Sequence, residues 1–424
     1  MMRSANYPLL GVKLLTLLFL LVVFVPRAGA KSQISISNMD GRVGTEADAA
    51  SGKRNLLQPA VPLLTVAPDS RAGGLGDAGV ATSPDANSQH WNLAKYAMIP
   101  KKWGISISYI PWLRELTNDI NLAYLVGYYK IDDLQAVSGS LRYFSLGQMV
   151  FTNEQGETLK SHHPNEFAID VAYSRIFTEG LSGGVAFRFI RSDLTGGFSQ
   201  PNSTGTVKAG TAYAADLAIY YQHPFSVKGI PSEYAIGFTL TNIGSKLSYN
   251  DEDKHFIPMN MRLGARWTSH IDQYNDLSAD LELSKLLIPT PPRRDANGDI
   301  IKGKNPDVSV VMGMIQSFYD APDGFAEEMR EITWSTALEY VYAKQFAVRT
   351  GFFYEHDTKG GRKFFSIGAG ITYNVFTLDA AYLIPTAGFN SPMANTMRFS
   401  LMVNFDKRKK KSKVERLKEK KEKE

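Results

Sequence analysis

From about residue 103 to residue 405, apolar and polar residues alternate with few slips. In Phe365 to Asn374 one parity reads Phe, Ile, Ala, Ile, Tyr and the other Ser, Gly, Gly, Thr, Asn. In the last such segment Met397, Phe399, Leu401, Val403 and Phe405 alternate with Arg398, Ser400, Met402 and Asn404. A period of two sets successive side chains on opposite faces of a strand. One face is apolar and aromatic, the other small, polar and charged. That division suits a sheet with hydrocarbon outside and a polar lumen inside.

About fourteen segments carry the pattern: 103–110, 120–130, 136–145, 166–177, 183–192, 211–222, 234–243, 259–268, 276–286, 332–342, 346–356, 364–374, 376–383 and 396–405. Each is near the ~10 residues that a tilted membrane strand needs, and the number is even, as in bacterial outer-membrane barrels. Links after the even-numbered segments are short, such as Glu179-Gly180-Leu181 and Ala343-Lys344-Gln345. Links after the odd ones run long, as at 146–165, 193–210, 244–258 and 287–331. Short periplasmic turns alternating with long external loops are expected of an outer-membrane barrel, and a soluble sandwich gives no reason for them. The expected fold is therefore all-β, a transmembrane antiparallel barrel of about 14 strands. The external loop 287–331 carries two short helical stretches, Val308 to Tyr319 and Gly324 to Met329, with apolar surface enough to cover the mouth or a partner.

Residues 1–30 read as a signal peptide, with Arg3 and Lys13, the apolar run Leu14 to Val25, and Ala28-Gly29-Ala30 as the cleavage site. Residues 31–64 lack periodicity and read as a flexible leader, and 65–102 form a glycine-rich segment ahead of the barrel, 103–405. The net charge of +5 is uneven: residues 407–424 hold eleven Lys/Arg against four Glu, and the signal adds three cations, which leaves 31–406 at −5. The basic balance thus belongs to the Lys/Glu-rich tail, 406–424, expected on the periplasmic side, and does not indicate nucleic acid. Without cysteine there is neither a disulfide framework nor a thiolate metal site.

Gly74-Leu75-Gly76-Asp77-Ala78-Gly79 spells G-x-G-x-x-G, but no Asp or Glu occurs at 86–114, where a dinucleotide site would need one. Asp295-Ala296-Asn297-Gly298-Asp299 opens like a calcium loop, yet Pro306 stands where its glutamate belongs, so a plain turn is expected. No G-x-S-x-G or H-E-x-x-H element is present. Neither an enzyme nor a cofactor nor a metal is expected. The inward parity carries Arg142, Asp170, Arg188, Asp216, Arg262, Arg266, Asp280, Glu282, Glu339, Arg349, Asp379 and Arg398. This balanced set points to cross-lumen ion pairs that fill the interior, whereas an ion-selective pore would show rings of one sign.

Gly73 to Ala81, with Asp85-Ala86 and Trp91-Asn92-Leu93-Ala94, resembles the N-terminal hatch of FadL-type outer-membrane proteins, with Leu93 where that hatch has proline. Gly74, Gly76, Asp77, Gly79 and Asn92 are the hatch positions so implied. Ile110-Pro111-Trp112-Leu113 with Asn118 to Leu122, Leu240 to Lys246, Gln316 to Pro322 with Gly324-Phe325, and Asn395 to Leu401 resemble the PorV branch, the barrel of the Bacteroidota type IX secretion system. The resemblance implies a protein that takes secreted cargo, recognised by its C-terminal signal domain, from the translocon. It would deliver that cargo to a sortase-like complex for attachment to lipopolysaccharide at the cell surface. Aromatic and apolar residues at loop tips, where binding hot spots concentrate, are the expected contacts: Trp112, Leu113, Phe318, Tyr319, Phe325 and Phe389. The alternative is a FadL-like transporter of hydrophobic solutes such as long-chain fatty acids; a lipopolysaccharide-modifying enzyme lacks a pairable nucleophile and base.

Overall fold

The computed structural model describes residues 54–112, 119–153, 157–197, 207–250, 253–386 and 396–405. The signal, the leader up to residue 53 and the tail 406–424 lie outside them. Among the described residues fourteen strands close into one antiparallel barrel. They are β1 (Trp103–Pro111), β2 (Ile120–Lys130), β3 (Gln135–Leu146), β6 (Asn165–Thr178), β7 (Leu181–Asp193), β8 (Gly210–Val227), β9 (Ile230–Gly244), β10 (Asn260–His270), β11 (Asn275–Leu286), β14 (Thr333–Tyr342), β15 (Phe346–Tyr354), β16 (Lys363–Tyr373), β17 (Phe376–Pro385) and β18 (Met397–Phe405). The hairpins β4 (Met149–Thr152) with β5 (Thr158–His162), and β12 (Arg293–Arg294) with β13 (Ile300–Lys302), lie in long loops. Each barrel strand pairs with the next, and β1 pairs with β18 from Trp103↔Phe405 to Tyr109↔Phe399, so no edge is left open. Closure of this kind satisfies every strand's backbone inside a bilayer.

Every expected strand is present. The largest difference in extent is the β8–β9 hairpin, which pairs on to Val227↔Ile230, well past the expected ends at 222 and 234. Pro224 and Pro231 interrupt the alternation there, but the two-residue turn Lys228-Gly229 has both φ positive (51° and 83°), the geometry that continues a twisted hairpin. Along β1 and β8 exposure alternates residue by residue. Ile105, Ile107, Val171, Leu217, Ile219, Leu281, Phe399 and Leu401 face outward. Aromatic residues gather toward both rims, with Trp103 stacked on Phe405 (4.1 Å between centroids) at the short-turn end and Trp334 stacked on Tyr354 (5.3 Å) at the other. Such girdles mark the two interfaces of an outer membrane.

Residues 54–102 run inside the barrel as irregular chain with short turns of helix: Pro62–Thr65 (3-10), α1 (Ser70–Gly73), α2 (Ser88–Trp91) and Leu93–Met98 (3-10). The expectation of a flexible leader up to residue 64 is corrected for its described end. Val61, Leu63 and Leu64 are buried with Ile110, Leu122 and Ile190 in one apolar cluster. The polar composition of 31–53 does not extend to Leu56-Leu57-Gln58-Pro59-Ala60-Val61-Pro62, whose prolines fix φ and whose apolar side chains pack without needing a period.

The glycine-rich run lets the plug lie directly on the wall. Gly76 has φ +65°, and a Cβ there would sit 2.8 Å from the Phe352 nitrogen. A Cβ on the facing Gly351 would overlap the Gly76 nitrogen. Gly76 N–H donates to Ser366 Oγ (2.8 Å) and its carbonyl accepts from Ser335 Oγ (2.6 Å). We predict that Gly351→Val unseats the plug and costs at least the ~1–3 kcal/mol typical of overpacking. The purified barrel should then lose its compact form on semi-native electrophoresis at a lower temperature than wild type. An unchanged transition would refute the close approach.

Candidate partner interface

The long loop between β11 and β14 is an ordered cap. Its helix α3 (Val310–Gln316) starts at Ser309, whose Oγ accepts from Met312 N–H (3.4 Å). Gly313 faces Phe256 of the neighbouring loop with no room for a side chain, and Gln316 is buried beside it. The helix therefore seats on Gly313 and Gln316 together with the half-buried Val310 and Met314, which pack on the apolar cluster at the mouth, and leaves Val311 (65% exposed), Met312 and Ile315 in solvent. Phe318, Tyr319, Met329 and Phe325, the last 75% exposed, are further exposed apolar side chains of the same loop. Lys304 Nζ lies 3.8 Å from the Tyr319 ring centroid, a cation placed on an aromatic rim.

Apolar packing of Leu287, Ile288, Val310 and Met314 holds one part of the cap, and ion pairs hold the other. Helix α4 (Phe325–Arg330) and the residue after it bring Glu327, Glu328 and Glu331 inward. Lys285, at the end of β11, donates to Glu328 (3.0 Å) and Glu331 (2.6 Å). Lys359, in the 3-10 turn Asp357–Lys359, donates to Glu327 (2.6 Å) and Glu331 (2.9 Å). Glu328 also accepts the Asp320 and Ala321 N–H groups, and Glu331 accepts from Thr290 Oγ1. Burial works to raise the Glu327 carboxyl, but Lys359 and the Asp323 N–H outweigh it and hold it below the usual range. Asp320 has no cation: burial pushes it up to about 6, against the pull of the Thr290 N–H. The Asp295–Asp299 stretch is a plain turn at the tip of the β12–β13 hairpin, with Asp295 Oδ1 accepting from Asn297 and Asp299 N–H groups and Gly298 at φ +89°.

The expected loop contacts divide. Phe318, Tyr319 and Phe325 are on the exposed face, whereas Leu113 and Phe389 lie outside the described residues. Trp112 is corrected: only 8% of it is exposed, and its ring packs on Phe144 (6.2 Å between centroids). Its N–H still bonds Ile120 O (3.0 Å), so it continues the parity of the inward Ile110 and turns into the bore. Val311, Met312, Ile315 and the lysine–glutamate clamp went unmarked in the sequence reading. The apolar run VVMGMI was visible, but nothing in it says which side is covered.

In the bore the expected cross-lumen pairs are corrected to lateral ones, because the plug occupies the middle. Arg188 bonds Asp170 (3.0 Å) and Asp216 (2.8 Å) on the strands either side. Arg266 bonds Asp280 (2.7 Å) and also Glu339. Arg349 bonds Glu339 (2.7 Å) and reaches over Gly370 to Asp379 (2.6 Å). The remaining charges face the plug. Glu282 accepts Gly79 N–H (2.8 Å) and Val80 N–H (2.9 Å), Arg398 pairs with Asp77, and Arg262 lies over the Trp91 ring, 5.1 Å from its centroid. Arg142 likewise meets His90 Nδ1 (2.8 Å) and the Tyr124 ring. From the plug Arg71 adds a third guanidinium to Glu339 (3.1 Å). Gly74 lies against Gly368 of β16, and Asn92 Nδ2 donates to Val80 O and Ile219 O, fastening the plug to itself and to β8.

The family model of the type IX secretion system protein PorV matches residues 49–293. No curated protein matches the chain at a significant level. Among solved structures the chain is similar to a FadL homologue of Pseudomonas aeruginosa (13% identity, 80% of this chain and 99% of that one, TM-score 0.41). It is also similar to the toluene transporters TodX of P. putida (10%, 81% and 99%, 0.45) and TbuX of Ralstonia pickettii (10%, 80% and 98%, 0.42). These likenesses are distant, and the barrel architecture rests on the strand pairing itself.

We predict that Lys359→Met, which leaves the buried Glu327 with neutral donors only and takes one of two lysines from Glu331, loosens the cap by about 3–5 kcal/mol. Limited proteolysis should then cut within 287–332 while the barrel stays folded; equal resistance to wild type would refute the clamp. Asp320 gives a pH signature. Its folded-state carboxyl titrates above its ordinary 3.8, so the stability it contributes is present below that value and is lost as pH rises through about 6. Asp320→Asn should slow hydrogen exchange in the cap relative to wild type at pH 8 and leave it unchanged at pH 3, below the ordinary carboxyl value.

Proposed function

The chain belongs to the PorV family of type IX secretion system proteins, and from that premise we propose that it is the outer-membrane barrel that binds cargo by its C-terminal signal domain. It carries the cargo from the translocon to the surface attachment complex. The observation that supports this reading is the cap's outward apolar face, Val311, Met312, Ile315, Phe318, Tyr319 and Phe325, on a loop fixed to the barrel by buried ion pairs. A large exposed apolar patch held rigidly on a polar base is the form of a protein-binding surface. The transporter of hydrophobic solutes gains no comparable support. A fatty chain needs an apolar path, while the plugged bore presents Arg71, Arg266, Arg349, Glu339 and Asp379.

The test is Val311→Ser combined with Phe325→Ala. Both side chains point into solvent, so the barrel should assemble at wild-type levels. Removing two anchors of the ≥ 2 kcal/mol class should lower cargo co-purification by roughly tenfold or more. Undiminished capture and surface attachment of cargo would overturn the assignment of the cap.

A further inference from the structure

Not every inward arginine of the wall has an acid. Arg188, Arg266, Arg349 and Arg398 each hold a carboxylate, whereas among the described residues Arg142 of β3 and Arg262 of β10 enter no ion pair. Both are nonetheless buried, 3% and 7% exposed. The carboxylates that act on them from a distance are committed elsewhere: Asp170 and Asp216 to Arg188, Asp77 to Arg398, and Glu282 to the Gly79 and Val80 N–H groups. Each guanidinium lies instead on an aromatic face, Arg142 over Tyr124 (5.3 Å) and Arg262 over Trp91 (5.1 Å). Stacking covers the flat of a guanidinium and leaves its edge, where all the N–H bonds point. The edge of Arg142 reaches His90 Nδ1 (2.8 Å) and Leu63 O (3.4 Å), while Arg262 Nη1 is buried and meets no acceptor.

The imidazole fixes the sign of this place. A guanidinium only donates, so His90 Nδ1 accepts from Arg142 and the ring proton sits on Nε2. That N–H is likewise buried without an acceptor. His90 and Trp91 are consecutive in α2, their rings edge to face at 4.7 Å, so one turn of the plug carries both the imidazole and the indole on which Arg262 lies. Arg142 and Arg262 are the charges that act most on the imidazole. Two parts of the wall and one turn of the plug thus converge with orphaned donors and positive charge that no carboxylate bonds. We propose that they form a binding site for a small inorganic anion, chloride, held by the N–H groups of Arg262 Nη1 and His90 Nε2 in the field of Arg142. A water would accept from these donors but leave the two guanidiniums uncompensated. A fatty carboxylate would need an apolar path that the plugged bore does not offer. The anion ties α2 to β10 directly and, through His90, to β3. This inference is independent of the cargo reading.

The test uses the full-length protein in detergent, exchanged into sodium gluconate and titrated with chloride or bromide at constant ionic strength while thermal unfolding is followed by tryptophan fluorescence. The midpoint should rise by roughly 5 °C at a halide concentration a hundredfold above Kd. Arg262→Met keeps an apolar stem over Trp91 and removes the charge. It should weaken the halide response at least tenfold and should not lower the midpoint in gluconate, where a purely structural arginine would. Wild-type crystals grown in bromide supply a second measurement that needs no variant, and they should show an anomalous peak between Arg262 and His90. A midpoint indifferent to halide, an undiminished response in Arg262→Met, or bromide at surface positions only would each overturn the site.

Discussion

The structure depends on the desolvation of charge inside a closed sheet. A guanidinium or carboxylate taken out of water costs several kcal/mol unless a partner receives it, and the wall of this barrel carries both kinds at mid-height. Glu339 shows the solution. It is buried, and three guanidiniums converge on it: Arg349 from the adjacent β15, Arg266 from β10 two strands away and Arg71 from the plug. Arg71 is held by Asp85 (2.8 Å) within the plug and carries that pairing across to Glu339 of the wall. The two fold as one electrostatic unit, in which Arg398 with Asp77 and Glu282 with the Gly79 and Val80 amides repeat the theme.

The same device appears at the mouth, in a different register. Lys285 and Lys359 neutralise Glu327, Glu328 and Glu331 on the buried side of α4, while Val311, Met312 and Ile315 of α3 face solvent. In an ordinary amphipathic helix the apolar stripe supplies the attachment. Here Leu287, Ile288, Val310 and Met314 supply apolar attachment and the buried ion pairs add to it, while Val311, Met312 and Ile315 stay exposed, which is what connects the cap's packing to its proposed work.

How much of this could be read from the chain follows from the range of the forces involved. The strands were legible because alternation is written locally, two residues at a time, and the short turns carry their own signals, as at Gly180 with φ +76°. Phe318, Tyr319 and Phe325 were legible as aromatic residues within a loop. Trp112 was misread because loop and strand were divided at Pro111, whereas side-chain parity runs one residue further and turns the ring inward. The lateral direction of the ion pairs needed the register, since Arg188 stands directly across from Asp170. Asn55 was beyond reach: its partners Pro291 and Glu327 lie 236 and 272 residues away, and no local pattern announces a contact at that separation.

The tight seating of Gly76 on Gly351 also bears on how such a molecule is made. A segment whose backbone touches the wall where a methyl group would overlap it cannot slide lengthwise through a finished cylinder, least of all when it carries the buried Arg71 and Lys95 past a wall of paired charges of both signs. The sheet has to wrap around it. The clasp is the seam between the first strand and the last, seven residue pairs from Trp103↔Phe405 to Tyr109↔Phe399, and its zipping is the step that seals the occupant in. The geometry is thus that of encapsulation, with residues 54–102 enclosed by the sheet that β1 and β18 close.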